Sequence, residues 1–186
     1  MIIWLASYPK SGNTLVRSML SAYFFSKDGK FYFDLLKNIK QFPDLKLFKN
    51  LKVNINDKTE VIKNYINVQE KINQTDGNTL RFIKTHAALN SINGYQFTNL
   101  KNSLGVIYIV RDPRKVVLSY ANHTQMNLEH SLKDISKVSV WGGKVNYQDT
   151  IQDTLDTHAG SWGSNYNSWK EFIKYDKYLL VKYEDL

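Results

Sequence analysis

Lys10-Ser11-Gly12-Asn13-Thr14 follows an apolar run and precedes Leu15-Val16-Arg17-Ser18-Met19-Leu20, and its residue types point directly to chemistry. A glycine lets backbone N–H groups approach a ligand, a lysine adds a full charge, and two hydroxyls add donors. If a helix begins there, its first turn exposes N–H groups and the positive end of its dipole, which together favour an anion. An ordinary strand-to-helix turn uses the same residues, so both readings stay open for the loop alone. It is not the ATP-binding loop G-x-x-x-x-G-K-[ST], because its lysine precedes its only glycine. Nor does a paired acidic residue present itself to hold magnesium, so no metal site is expected and metal-free handling of an anion fits better.

Two further segments carry reactive types. Arg81-Phe82-Ile83-Lys84-Thr85-His86 reads as a strand running into a histidine. A lone histidine there could be structural, but Lys84 two residues earlier projects to the same side of an extended chain and can converge with His86 on one centre. Val110-Arg111-Asp112-Pro113-Arg114 then leads into a helix that carries Ser119 and Tyr120, with Pro113 setting its start. Of 25 basic residues only Arg17, Arg81, Arg111 and Arg114 are arginine, and three of the four, Arg17, Arg111 and Arg114, lie in the first motif and in this last one. The planar guanidinium fork suits phosphate, although Arg111 or Arg114 could instead pair with Asp112 or Glu184.

The elements that must position these groups are short apolar runs at Ile2–Ala6, Leu80–Ile83, Gly105–Val110 and Tyr178–Val181, each bounded by polar or turn-forming residues. Between them, Val61, Tyr65, Val68 and Ile72 keep helical spacing after Asp57 and Glu60, a capping-box pair. Trp162, Tyr166, Trp169 and Ile173 repeat that spacing. Strands separated by helices predict βαβ units, a mostly parallel sheet and helices on both faces. All four strands deliver polar or charged residues at their carboxyl ends, the edge of an open parallel sheet where ligands bind. The stretches 27–56, 89–103 and 123–147 read as irregular surface connections, some of which could form a lid or an acceptor rim; they carry the aromatics Phe31, Tyr32, Phe33 and Trp141.

A chain of 186 residues with 42% hydrophobic content can bury one core, so a single domain over 1–186 is expected. The absence of cysteine excludes disulfides, Cys-ligated zinc and thiol catalysis. The net charge of +8 suits a polyanionic partner, yet no nucleic-acid motif accompanies it, and nucleic acid is not expected. Met1-Ile2-Ile3-Trp4-Leu5-Ala6 lacks a basic leader and is too short to anchor, so a cytoplasmic protein without membrane association is expected.

In this order the motifs resemble the sulfotransferase family that uses 3′-phosphoadenylyl sulfate (PAPS). Tyr8 to Thr14 is similar to its 5′-phosphosulfate loop, Lys84-Thr85-His86 to its catalytic strand end, and Val110 to Tyr120 to its 3′-phosphate motif. Gly160-Ser161-Trp162 and Tyr183-Glu184-Asp185 resemble later landmarks, so the likeness spans nearly the whole chain. The resemblance implies an α/β three-layer sandwich around a central parallel β-sheet, related to the P-loop nucleotide kinases. It implies transfer of a sulfuryl group from PAPS to a hydroxyl or amine acceptor, with His86 as general base, Lys10 stabilising the bridging oxygen and Lys84 the transferring group. Lys10, Ser11, Gly12, Asn13, Thr14 and Leu15 would line the nucleotide, Arg111 and Ser119 would hold its 3′-phosphate, and Tyr183 would lie near adenine. Asn13 stands where many members have threonine, and Leu15 where animal cytosolic members have a tryptophan. The chain stops at Leu186, ahead of the Arg-Lys-Gly segment that completes the family's 3′-phosphate site, and is expected to lack that part. Two alternatives follow: a module that binds the nucleotide without transferring sulfate, and a P-loop kinase, which the missing Walker sequence disfavours.

Overall fold

The computed structural model describes the chain except residues 49–50, 76–79 and 148–149, and for 142–154 it describes the backbone alone. In chain order the elements are β1 (Ile2–Ser7), α1 (Asn13–Phe25), a 3₁₀ turn (Phe33–Asn38), α2 (Leu45–Phe48), α3 (Lys58–Lys63), α4 (Tyr65–Gln74) and β2 (Arg81–Thr85). There follow β3 (Ser91–Ile92), β4 (Tyr95–Gln96), β5 (Ser103–Val110), α5 (Pro113–Thr124), α6 (Leu128–Ser136), β6 (Ser139–Tyr147) and β7 (Thr150–Gly160). The last are α7 (Trp162–Trp169), a 3₁₀ turn (Lys170–Tyr175), β8 (Tyr178–Lys182) and a final 3₁₀ turn (Tyr183–Asp185).

The four expected strands form one parallel sheet in the order β2-β1-β5-β8, flanked by helices. Side chains alternate along β1: Ile2, Trp4 and Ala6 enter a core shared with Val106, Tyr108, Val68, Phe97 and Trp169. Trp4 sits 5.1 Å from Phe97 and 6.2 Å from Trp169 between ring centroids, and its indole N–H donates to Ser103 Oγ at 2.8 Å. Burying each of these large side chains stabilises the fold by roughly 2–3 kcal/mol, and the sheet that carries the candidate site is built on that core. A smaller cluster of Tyr8, Val116, Tyr120, Ile135 and Ala159 ties β1's exit to α5, α6 and β7. No helix among the described residues is long and apolar enough to cross a membrane.

The irregular stretches hold more structure than their sequence suggests. Within 27–56, Ile39, Phe42 and Phe48 are fully buried. Residues 40–42 lie alongside β2, with Lys84 N–H donating to the Lys40 carbonyl at 2.9 Å and Phe42 N–H to the Lys84 carbonyl at 2.8 Å. Within 89–103, Asn93 (φ 51°) and Gly94 (φ 82°) turn a small hairpin between β3 and β4, conformations that asparagine and glycine tolerate. Within 123–147 lie α6, capped by Asn127, and β6, which pairs antiparallel with β7. Only Ser131 and Ile135 of α6 are buried, a stripe too short to reveal a helical period.

Both predicted helices are also interrupted. Asp57 caps α3 by accepting from Thr59 and Glu60 N–H, but Glu60 turns its carboxylate to Asn54 N–H at 3.0 Å instead of closing the capping box. Asn64 then donates its side-chain amide to the Glu60 carbonyl at 2.8 Å, competing with the helix ladder and separating α3 from α4. After Trp169 the chain tightens into a 3₁₀ turn, and Ile173 rotates out to 52% exposure.

Candidate functional site

The loop after β1 reverses the chain using two left-handed residues, Lys10 (φ 67°) and Gly12 (φ 94°), so that successive N–H groups form a concave nest. Ser11 N–H closes a turn onto the Tyr8 carbonyl at 3.3 Å, and its own hydroxyl is buried without a partner. Gly12 is the N-cap of α1, which has no side-chain cap and no acidic residue in its first turn. Leu15 N–H turns back to the Gly12 carbonyl at 3.0 Å, which leaves the N–H groups of Asn13 and Thr14 without a side-chain cap and open to an external acceptor. Asn13 points inward and braces the loop from below, donating to the Leu5 carbonyl at 2.9 Å and to Ser7 Oγ at 3.1 Å. Its contribution at the surface is confined to its backbone. Thr14 and Leu15 are exposed, and Leu15 lines an apolar groove along α1 with Met19, Ala22 and Phe31.

His86 follows β2 and meets Ser7 at the end of the adjacent strand. Its Nδ1 lies 2.9 Å from the Ser7 carbonyl and 3.2 Å from Ser7 Oγ. A carbonyl only accepts, so Nδ1 carries the hydrogen and Nε2 keeps a free lone pair. Burial, then the charge of Lys84 and more weakly that of Lys10, push the imidazole pKa down to about 3, against an upward pull from the Ser7 bond. The histidine backbone is clamped as well. Asn165 of α7 donates to the His86 carbonyl at 3.0 Å and the Ala159 carbonyl at 2.8 Å while accepting from Tyr108 hydroxyl at 2.8 Å.

Lys84 is part-buried, donates to Gln41 Oε1 at 3.2 Å, and has its pKa lowered to about 8 by burial and by Arg17. Arg17, one turn into α1, donates to the Leu36 carbonyl while its Nε is buried without a partner.

The third motif divides its two arginines. Arg114 is taken up by Asp112, with Nε 3.0 Å from each carboxylate oxygen, and the pair holds the Asp112 carboxyl down to about 2. Glu184 accepts from Asp112 N–H at 3.0 Å. Arg111 has no carboxylate partner among the described residues; it donates to the Lys10 carbonyl at 3.3 Å, and its Nε is buried and unpaired. Its guanidinium carbon sits 4.2 Å from the centroid of the Tyr183 ring, a cation–π arrangement. That ring also covers Gly12 so closely that a Cβ there would overlap it. Ser119 is half-buried in the second turn of α5.

The ends of β1, β2, β5 and β8 thus deliver Lys10, Lys84, His86, Arg111 and Tyr183 to one edge. Ser7, Gln41 and Asn165, which hold them, escape a reading based on reactive types. Asn165 left a trace: it is a polar residue set between Trp162 and Trp169 on the buried stripe of α7.

A family model described as "Sulfotransferase domain" matches residues 2–186. Among solved structures, the chain is similar to mouse sulfotransferase SULT7A1 complexed with PAP, at 17% identity and TM-score 0.52, over 99% of this chain and 52% of that one. It is also similar to retinol dehydratase in a complex with retinol and PAP, at 16% identity and TM-score 0.55, over 99% of this chain and 55% of that one. The chain therefore spans about half the length of each, and the likeness at these identities is one of fold. No curated protein matches.

Proposed function

This chain belongs to the sulfotransferase domain family, and from that premise we propose that it moves a sulfuryl group from PAPS to a hydroxyl or amine acceptor by in-line displacement. The observation that carries the reading is an uncapped helix N-terminus sharing one sheet edge with Lys10, Lys84, His86 and the unpaired Arg111. A donor with a 5′-phosphosulfate and a 3′-phosphate matches that distribution of positive charge. PAP, the donor stripped of its sulfuryl group, accompanies both structures named above.

In the proposed reaction the acceptor atom bonds to sulfur as the bond from sulfur to the 5′-phosphate oxygen breaks, leaving its electron pair on the phosphate. The acceptor proton passes to Nε2 of His86, the nitrogen left free by the Ser7 carbonyl. Charge spreads over the sulfuryl oxygens and builds on the leaving oxygen, and cations fixed beforehand stabilise both. Lys84 serves the former and Lys10 the latter. N–H groups of 12–14 and the Ser11 hydroxyl hold the 5′ end, Arg111 and Ser119 take the 3′-phosphate, and Leu15 and Tyr183 flank the adenine.

Electrostatics couples donor to base. A histidine at about 3 is a weak base at neutral pH. Burial is the larger cause and stays, but an anion bound among Lys10 and Lys84 offsets the two charges that add to it, so the donor shifts the imidazole upward. Lys84, at about 8, must keep its proton, and the rate is expected to fall as pH rises through that value.

Titration calorimetry with PAP and transfer of labelled sulfuryl from PAPS to a panel of alcohols, phenols, amines and sugars test the reading. Saturable binding with a labelled product is expected. Indifference to PAP at about 1 mM would end it. The depressed His86 pKa favours a second reading, a module that holds the nucleotide without transfer. PAP binding with no labelled product across the panel is the outcome that selects it.

A further inference from the structure

We propose that Gln41 is a positioning residue that holds the Lys84 ammonium in place. The backbone of Lys84 is clasped on both sides by the strap at 40–42, through the Lys40 carbonyl and the Phe42 N–H. This pairing sets Gln41 in parallel register opposite Lys84, so the two side chains leave the same face and meet at 3.2 Å. The strap cannot drift, because Ile39 and Phe42 on either side are fully buried and Phe42 packs at 5.2 Å on Tyr65 and 5.8 Å on Trp4.

The charged group acting on Lys84 is Arg17 from α1, and the Lys84 charge in turn depresses the neutral imidazole of His86, two residues along its own chain. A part-buried ammonium beside a guanidinium is pressed either to release its proton or to swing toward water. An amide oxygen resists both by accepting one N–H, and two remain for a ligand. The choice of amide over carboxylate matters. Glutamate would hold the lysine equally well but cancel its charge, whereas glutamine leaves the full charge to act on an incoming anion. Nothing in the residue types of the segment 27–56 marks Gln41; only the register of the strap does.

The inference uses the role proposed for Lys84 in transfer, so two measurements are needed to separate them. Lysine labelled at Cε gives the Lys84 resonance, assigned by its loss in Lys84→Gln, and that resonance reports the pKa without any turnover. Gln41→Glu is expected to raise it and Gln41→Met to lower it, while a Lys84 titration unmoved in both variants overturns the proposal. Folding of each variant is checked by PAP affinity, expected to stay within about twofold because the loop of 10–14 is untouched. In turnover, both variants are expected to lose about 10- to 100-fold in kcat. Gln41→Asn, which restores an acceptor on a shorter arm, should recover part of that loss. A shifted titration with unchanged kcat would leave the Gln41 contact standing and remove Lys84 from the proposed chemistry.

Discussion

Helices α1 and α5 begin at the same edge of the same sheet, after neighbouring strands, and they begin differently. At α5, Asp112 caps the first turn, Arg114 neutralises the cap, and Glu184 secures the Asp112 N–H. At α1, a glycine occupies the cap position with no side chain to offer and no acidic residue follows. The orphan donors and partial positive charge of a helix start cost stability unless satisfied. A side chain caps the helix start at α5 and none does at α1, where the proposed donor would supply the acceptor. At α5 the proposed recognition falls to side chains: Arg111 has no carboxylate partner among the described residues, while Arg114, three residues on, is taken by Asp112.

The largest expected effect comes from closing the open end sterically. Gly12→Val places a branched side chain at φ 94° and against the Tyr183 ring, and PAP affinity should drop by more than about 100-fold, with a stability loss of roughly 1–3 kcal/mol from backbone strain. Calorimetry and denaturant melts read the two effects. Closing it electrostatically is gentler and has opposite signs: Thr14→Asp puts a carboxylate in the exposed first turn of α1 and should raise stability by about 0.5 kcal/mol while weakening PAP about tenfold. An increase in PAP affinity in that variant would contradict an anion site there.

The smallest effect belongs to the closed end. Asp112→Asn should lower Tm by a few degrees at neutral pH and leave PAP affinity within about twofold. The folded carboxyl is held down to about 2, so its contribution is present above the ordinary aspartate range and lost as pH falls through that value. The difference in Tm between the two proteins should accordingly shrink on acidification. A difference that persists at the lowest pH would mean the cap works by something other than its charge.

Four strands and three motifs were legible because they are local. Apolar runs of four to six residues flanked by turns need no tertiary information, and the nest at 10–14 is written in consecutive residues. What was hidden is whatever depends on register between distant segments. Gln41 meets Lys84 only because the strap pairs with β2, and Ser7 meets His86 only because β1 and β2 are adjacent and parallel. The Asp57 cap was readable and present, but Glu60 accepts from Asn54 N–H rather than from Asp57 N–H, a contest between two donors that spacing alone does not decide. Arg111 and Arg114 both lie within two residues of Asp112, and which of them takes its carboxylate is likewise not decided by spacing.

The ring of Tyr183 over Gly12 also bears on how the molecule is made. The loop at 10–14 is synthesised well before residues 81–85 and 103–109, with which its strand pairs, and its roof arrives only with residue 183. Contacts of such separation form late and slowly, because loop closure must precede their reward. During synthesis the apolar β1 strand waits without its neighbours on either side, the condition under which nascent chains pair wrongly or recruit chaperones. Covering an earlier-made loop with a ring made much later ties the proposed nucleotide binding to the arrival of β8 and Tyr183, so chains that stop before residue 183 are expected to be blind to the nucleotide.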